Sequence, residues 1–167
     1  KAKAAGSLAH TIKSFAFAGI AINGVEYGEA GLYGALAAEY GVPVAFASGD
    51  DVFIAETQPL FPGATFIQTK TASGNTSGCS LSPEASCAAI RTGMASALRA
   101  VPARPELVLT GPLEVRLQTQ TPALADLFAL WPTLERAAPD AIAFNAINMQ
   151  VVLRTLNALS AMSTALR

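Results

Sequence analysis

The sequence predicts a mixed α/β (α+β) fold with strand–helix alternation along its whole length. Three observations carry this expectation. Short apolar runs end in turn residues, as strands do. Segments with apolar residues at helical spacing open on Ser, Thr or Asp and close at Gly or Pro. Both kinds of segment occur in both halves of the chain. With 167 residues, 51% of them hydrophobic and 14% charged, the chain can bury a core and is not a disordered tail.

Residues 1–14 are small and polar and predict a loop leading to His10. The apolar run 15–22 predicts a strand, and Asn23-Gly24 a two-residue hairpin turn, because both residue types tolerate positive φ. Residues 25–27 form the short return strand. A helix follows over 29–40, with Leu32, Leu36 and Tyr40 on one face, Tyr33 beside them and Gly41 as its stop. The continuous apolar run 42–47 predicts a strand buried on both faces, ending in Ser48-Gly49-Asp50-Asp51. Asp50 caps a short helix over 51–57, which Pro59 ends.

Residues 64–70 read as a further strand, and the Ser-, Gly- and Thr-rich stretch 72–81 as a loop. Ser82-Pro83-Glu84 combines a cap, a first-turn proline and an acidic residue, and starts a helix running to residue 100. Pro102 and Pro105 mark a connector. Alternation over 113–120 predicts a strand with one wet face, and Thr121-Pro122 starts a helix that ends near Trp131. A strand over 141–145 precedes a final helix over 148–166, with Val152, Leu153, Leu156 and Leu159 on its packed side. The break at 59–63 divides the chain into residues 1–60 and 61–167.

Charge excludes some partners. A net charge of −1 gives no basic surface for nucleic acid or an anionic membrane. No apolar run reaches the roughly 18 residues of a spanning helix. No leader follows Lys1-Ala2-Lys3, so the expected location is cytoplasmic and the chain is expected to be a fragment or a processed product. Cys79 and Cys87 are too few for a disulfide scaffold and lack metal-ligand spacing.

Chemistry concentrates on few side chains. His10, the single histidine, has the residue type of a general base or nucleophile; its plainer reading is a loop histidine bonded to backbone. Glu29 opens a helix, where a carboxylate can reach a metal or simply stabilise the helix dipole by roughly 0.3–1 kcal/mol. Asp50 and Asp51 sit at a strand end, a common place for site residues, and equally a turn with an N-cap. Lys70 ends a strand and could neutralise a carboxylate or face solvent. The 73–80 stretch lacks the lysine and spacing of a phosphate loop.

The ordered set Leu8-Ala9-His10-Thr11, Ile22-Asn23-Gly24, Gly28-Glu29-Ala30-Gly31-Leu32, Tyr40-Gly41-Val42-Pro43-Val44 and Ser48-Gly49-Asp50-Asp51 resembles the zinc D-aminopeptidase family of the bacterial dipeptide-transport operon. Thr69-Lys70 and Cys79-Ser80-Leu81-Ser82-Pro83 follow in order. The resemblance is to the C-terminal part of that two-part fold; the family's acidic signature Ser-x-Asp-x-Glu-Gly, from its N-terminal part, does not occur here. It implies that residues 1–60 are the C-terminal portion of a metal-site α/β unit and 61–167 a second α+β unit packed against it. It further implies His10 at the catalytic position and Glu29 as a metal ligand, with Asp50, Asp51 and Lys70 as site-supporting motif matches. The cofactor is a pair of zinc ions, most of whose ligands lie in the missing N-terminal region.

The function so implied is hydrolysis of short peptides or small amides by an aminopeptidase, active only together with an N-terminal polypeptide of the same protein and assembled as a ring-like homo-oligomer. The rival expectation is a non-catalytic structural or oligomerisation subunit of the same fold. A serine amidase built on the 73–80 loop is weaker, because no second histidine accompanies that loop.

Overall fold

Alternation of Leu113, Val115 and Leu117 with Glu114 and Arg116 builds the central strand of the larger sheet in the computed structural model, which describes residues 4–167. In chain order the elements are β1 (Phe17–Ile22), β2 (Val25–Glu26), α1 (Glu29–Glu39), β3 (Phe46–Asp50), α2 (Asp51–Thr57), β4 (Thr65–Gly74), β5 (Ser77–Ser80), α3 (Pro83–Arg99), β6 (Leu113–Thr119), α4 (Pro122–Phe128), β7 (Glu135–Ala138), β8 (Ala141–Ala146) and α5 (Met149–Met162). The mixed α/β class expected from the sequence is the class observed.

Two compact units form, and their chain ranges interleave. The first comprises residues 10–32 and 109–167, and the second residues 4–9 and 33–108. The units change over at 9/10, 32/33 and 108/109.

In the first unit the strand order is β2-β1-β6-β8-β7, antiparallel throughout. The β1–β2 turn is Asn23-Gly24, with φ of +51° and +80°, as the hairpin signal requires. Asn23 also ties the turn to β6, its Oδ1 accepting the Glu114 N–H at 2.9 Å. The inner positions Leu113, Val115, Leu117 and Thr119 are buried, while Glu114 and Arg116 face water. Beneath them lie Phe128 of α4 and Met149, Val152, Leu153, Leu156 and Leu159 of α5, all buried. The Phe17 and Phe128 rings meet edge-to-face at 6.2 Å. Burying each such Leu or Phe contributes about 1.5–3 kcal/mol. Thr121 and Asn148 cap α4 and α5 through their side chains, and α5 gives way to a 3₁₀ turn at Ser163. β7 was not foreseen: Glu135-Arg136-Ala137-Ala138 has no apolar alternation, because it is a largely exposed edge strand.

The second unit holds a three-stranded sheet of order β3-β4-β5. β3 and β4 are parallel and joined through α2. Ser48 pairs with Ile67, so Phe46 and Ile67 share one face, where Gly93 of α3 approaches both side chains. Gly49 points to the opposite face, against Phe53 of α2. Helices thus cover both faces of the parallel pair, the arrangement such pairs need. The predicted strand over 42–47 is corrected in register: β3 starts at Phe46, where pairing with Thr65 begins, and Val42 is exposed. The loop expected over 72–81 is also corrected. β4 runs on to Gly74 and returns as β5, a hairpin of small polar residues whose ladder carries no hydrophobic alternation.

α1 begins in the first unit and continues in the second. Its buried positions are Gly31, Leu32, Gly34 and Ala35, whereas Tyr33 and Tyr40, expected on the face with Leu32, are exposed. Gly34 leaves room for the Phe61 ring, which a Cβ there would overlap. No helix among the described residues is long and apolar enough to cross a membrane.

Candidate functional site

His10 stands on an irregular loop in which two non-glycine residues adopt left-handed backbone: Leu8 at φ +53° and Ile12 at φ +55°. For a branched residue such as Ile12 that conformation costs on the order of 1–2 kcal/mol and persists only where the surroundings enforce it. Within the first unit Glu29 supplies the restraint. Its Oε1 accepts the Ile12 N–H at 2.5 Å. A tight turn follows, in which Lys13 donates its N–H to the Thr11 carbonyl at 2.5 Å, and Thr11 is buried.

Glu29 owes its place to the local sequence. The hairpin returns the chain through Tyr27, and α1 starts immediately after Gly28, with Glu29 in its first turn. There the positive end of the helix dipole favours the carboxylate. Its Oε1 lies 3.8 Å from His10 Nε2, beyond direct hydrogen-bond reach and within range of a bridging water. The side chains are 51% and 44% exposed, so the pair is open to solvent, and when the imidazole is protonated their attraction contributes ~0–1 kcal/mol. Chemically this is an imidazole able to accept or deliver a proton beside a carboxylate of ligand type.

Asp50, Asp51 and Lys70 lie together in the second unit. Asp50 is buried and both of its oxygens are engaged: Oδ1 takes the Phe53 N–H as the α2 cap, and Oδ2 takes the Ser7 N–H, each at 2.7 Å. Burial alone pushes its carboxyl upward. The Phe53 and Ser7 N–H groups, the nearby Ser7 hydroxyl and the positive charge of Lys70 outweigh that, so the carboxyl sits below its ordinary value. The Ser7 hydroxyl acts there by proximity, since its Oγ makes no well-aligned hydrogen bond. Lys70 is exposed and pairs in register with Asp50 across the β3–β4 ladder. Asp51 accepts the Ala72 N–H at 2.8 Å, tying the start of α2 to β4. These carboxylates hold backbone.

The structure thus brings His10 and Glu29 together in one unit and Asp50, Asp51 and Lys70 together in the other. Ile12 and Ser7, the backbone partners of Glu29 and Asp50, were not singled out from sequence, and no spacing rule signals a contact through a main-chain N–H. Zinc sites use three or four protein ligands. His10 and Glu29 are zinc-type donors, but no group of three or more His, Cys, Asp or Glu able to hold a metal occurs among the described residues.

Comparison with known proteins defines the family. A model of the peptidase family described as D-aminopeptidase matches residues 1–158, so the chain belongs to the D-aminopeptidase family. Among solved structures it is similar to the "Zn-dependent D-aminopeptidase DppA from Bacillus subtilis, a self-compartmentalizing protease", with a TM-score of 0.91 and 22% identity over 98% of this chain. At that identity the likeness shows the shared fold. The chain spans 60% of the length of that structure's chain. No curated protein matches the sequence.

Proposed function

We propose that this chain is the C-terminal polypeptide of a zinc-dependent aminopeptidase or related amidohydrolase that cleaves short peptides or small amides. It works together with an N-terminal region of the same protein. The observation that carries the reading is the approach of His10 to Glu29 in a chain of the D-aminopeptidase family. In this reading His10 is the catalytic residue. As general base, a ring nitrogen takes a proton from the attacking water and passes it to the leaving amine as the C–N bond breaks. As nucleophile, it forms an acyl-imidazole, the proton of its other ring nitrogen going to the departing amine, and water then hydrolyses the acyl group. Glu29 contributes one carboxylate ligand, and the N-terminal region contributes most of the zinc ligands, because two donors do not hold the metal. Asp50 and Asp51, with Lys70 beside them, support the frame by fixing main-chain N–H groups.

The assembly is a ring-like homo-oligomer enclosing its active sites, in line with the self-compartmentalizing relative. It acts in the cytoplasm. A second reading, a non-catalytic structural subunit, rests on there being no group of three or more His, Cys, Asp or Glu able to hold a metal among the described residues. Peptidase assays on the chain co-produced with the polypeptide encoded immediately upstream separate the two. The catalytic reading expects zinc-dependent release of an N-terminal residue, lost in His10→Ala. The structural reading expects a zinc-free assembly without turnover.

A further inference from the structure

Glu29 touches more than the imidazole. Its Oε1 accepts the Ile12 N–H, 17 residues away in sequence, and the same oxygen lies 3.8 Å from His10 Nε2. Ile12 is only two residues beyond His10, so whatever fixes its peptide plane also fixes the path of the chain leaving His10. Ile12 is the position at which that path is least comfortable, with φ at +55°. A carboxylate is well suited to hold it, because a charge-assisted N–H···O⁻ bond is roughly twice as strong as a neutral one.

We infer that Glu29 is a positioning residue for His10: its carboxylate latches the strained Ile12 peptide and thereby sets where the imidazole stands. The inference rests on the reading of His10 as the proton-transfer residue. It goes beyond that reading by giving Glu29 a task separate from metal ligation. With Oε1 committed to Ile12, Oε2 is the oxygen left for a cation.

Amide hydrogen exchange by NMR on this chain tests the latch without any metal. The Ile12 amide reports the latch, and the ring signals of His10, the single histidine, report its surroundings. The Thr119 amide, at the end of β6 and bonded to the Asp140 carbonyl in the β7–β8 turn, serves as the folding control. Glu29→Ala removes the acceptor, and Glu29→Asp keeps the charge but falls one methylene short. Both are expected to speed Ile12 exchange about tenfold or more and to shift the His10 ring signals, with Thr119 still slow. Glu29→Gln keeps an oxygen at the same reach and is expected to hold Ile12 within about threefold of the parent.

Should Glu29→Ala fail to fold, the contrast between Asp and Gln decides. The inference is overturned if Ile12 exchanges as slowly in the Ala or Asp variants as in the parent, or as fast in Gln as in Asp, while Thr119 stays slow. Failure of the ligand reading shows elsewhere, as zinc content of the assembled enzyme left unchanged by Glu29→Gln.

Discussion

His10 Nε2 and Glu29 Oε1 stand 3.8 Å apart, and the oxygen that faces the imidazole also accepts the Ile12 N–H. One carboxylate thus holds a main-chain N–H of a loop and faces the imidazole carried by that loop. A helix start immediately after a hairpin makes this possible, because Glu29 sits at the fixed end of α1 while His10 lies on irregular backbone.

Replacing His10 by Ala should leave the fold intact, since the side chain is half exposed. In the assembled enzyme the substitution should lower kcat by about 10²–10⁴-fold, the usual contribution of a positioned proton-transfer group. Steady-state peptidase kinetics check it, with circular dichroism confirming the fold.

Asp50→Ala removes the α2 cap and strands the Ser7 N–H, and should cost about 1–3 kcal/mol at neutral pH by denaturant unfolding. The pH dependence follows in sign. The folded-state carboxyl lies below the ordinary 3.8 that the unfolded chain retains. Its stabilisation is therefore complete above that ordinary value and is lost as pH falls through the lower folded-state value. Unfolding curves between pH 5 and pH 2, taken as on the order of the carboxylate range, should show a steeper acid loss for the parent than for Asp50→Asn.

Gly34→Ala places a methyl on the Phe61 ring, which is buried and must shift. The helix-propensity gain of about 1 kcal/mol is outweighed, and a net loss of about 1–3 kcal/mol is expected from thermal or denaturant melts.

Leu156→Ala tests the core of the first unit. The side chain is fully buried on α5. A loss of about 2–5 kcal/mol is expected, read as a lower denaturation midpoint.

Much of this architecture is legible where local chemistry and tertiary demand agree. Asn23-Gly24 could only be a tight turn, Ser82-Pro83 a helix start, and the alternation from Leu113 a one-sided strand, and each is so. The misreadings have physical causes. Val42 begins an apolar run, but the strand starts where β4 offers a partner, at Phe46. The Ser- and Gly-rich β4–β5 hairpin and the charged edge strand β7 are held by backbone ladders, which leave no hydrophobic signature. At the site, His10 and Glu29 were visible as residue types, whereas the Ile12 latch is a long-range bond to a main-chain N–H at a left-handed residue and has no pattern to read.

The most direct test of the proposed function is intact mass spectrometry with zinc analysis on the natively purified protein. The account predicts a second polypeptide accompanying this chain, with roughly two zinc ions per pair, as in two-metal hydrolytic sites. A lone 17.2 kDa chain free of zinc would contradict it.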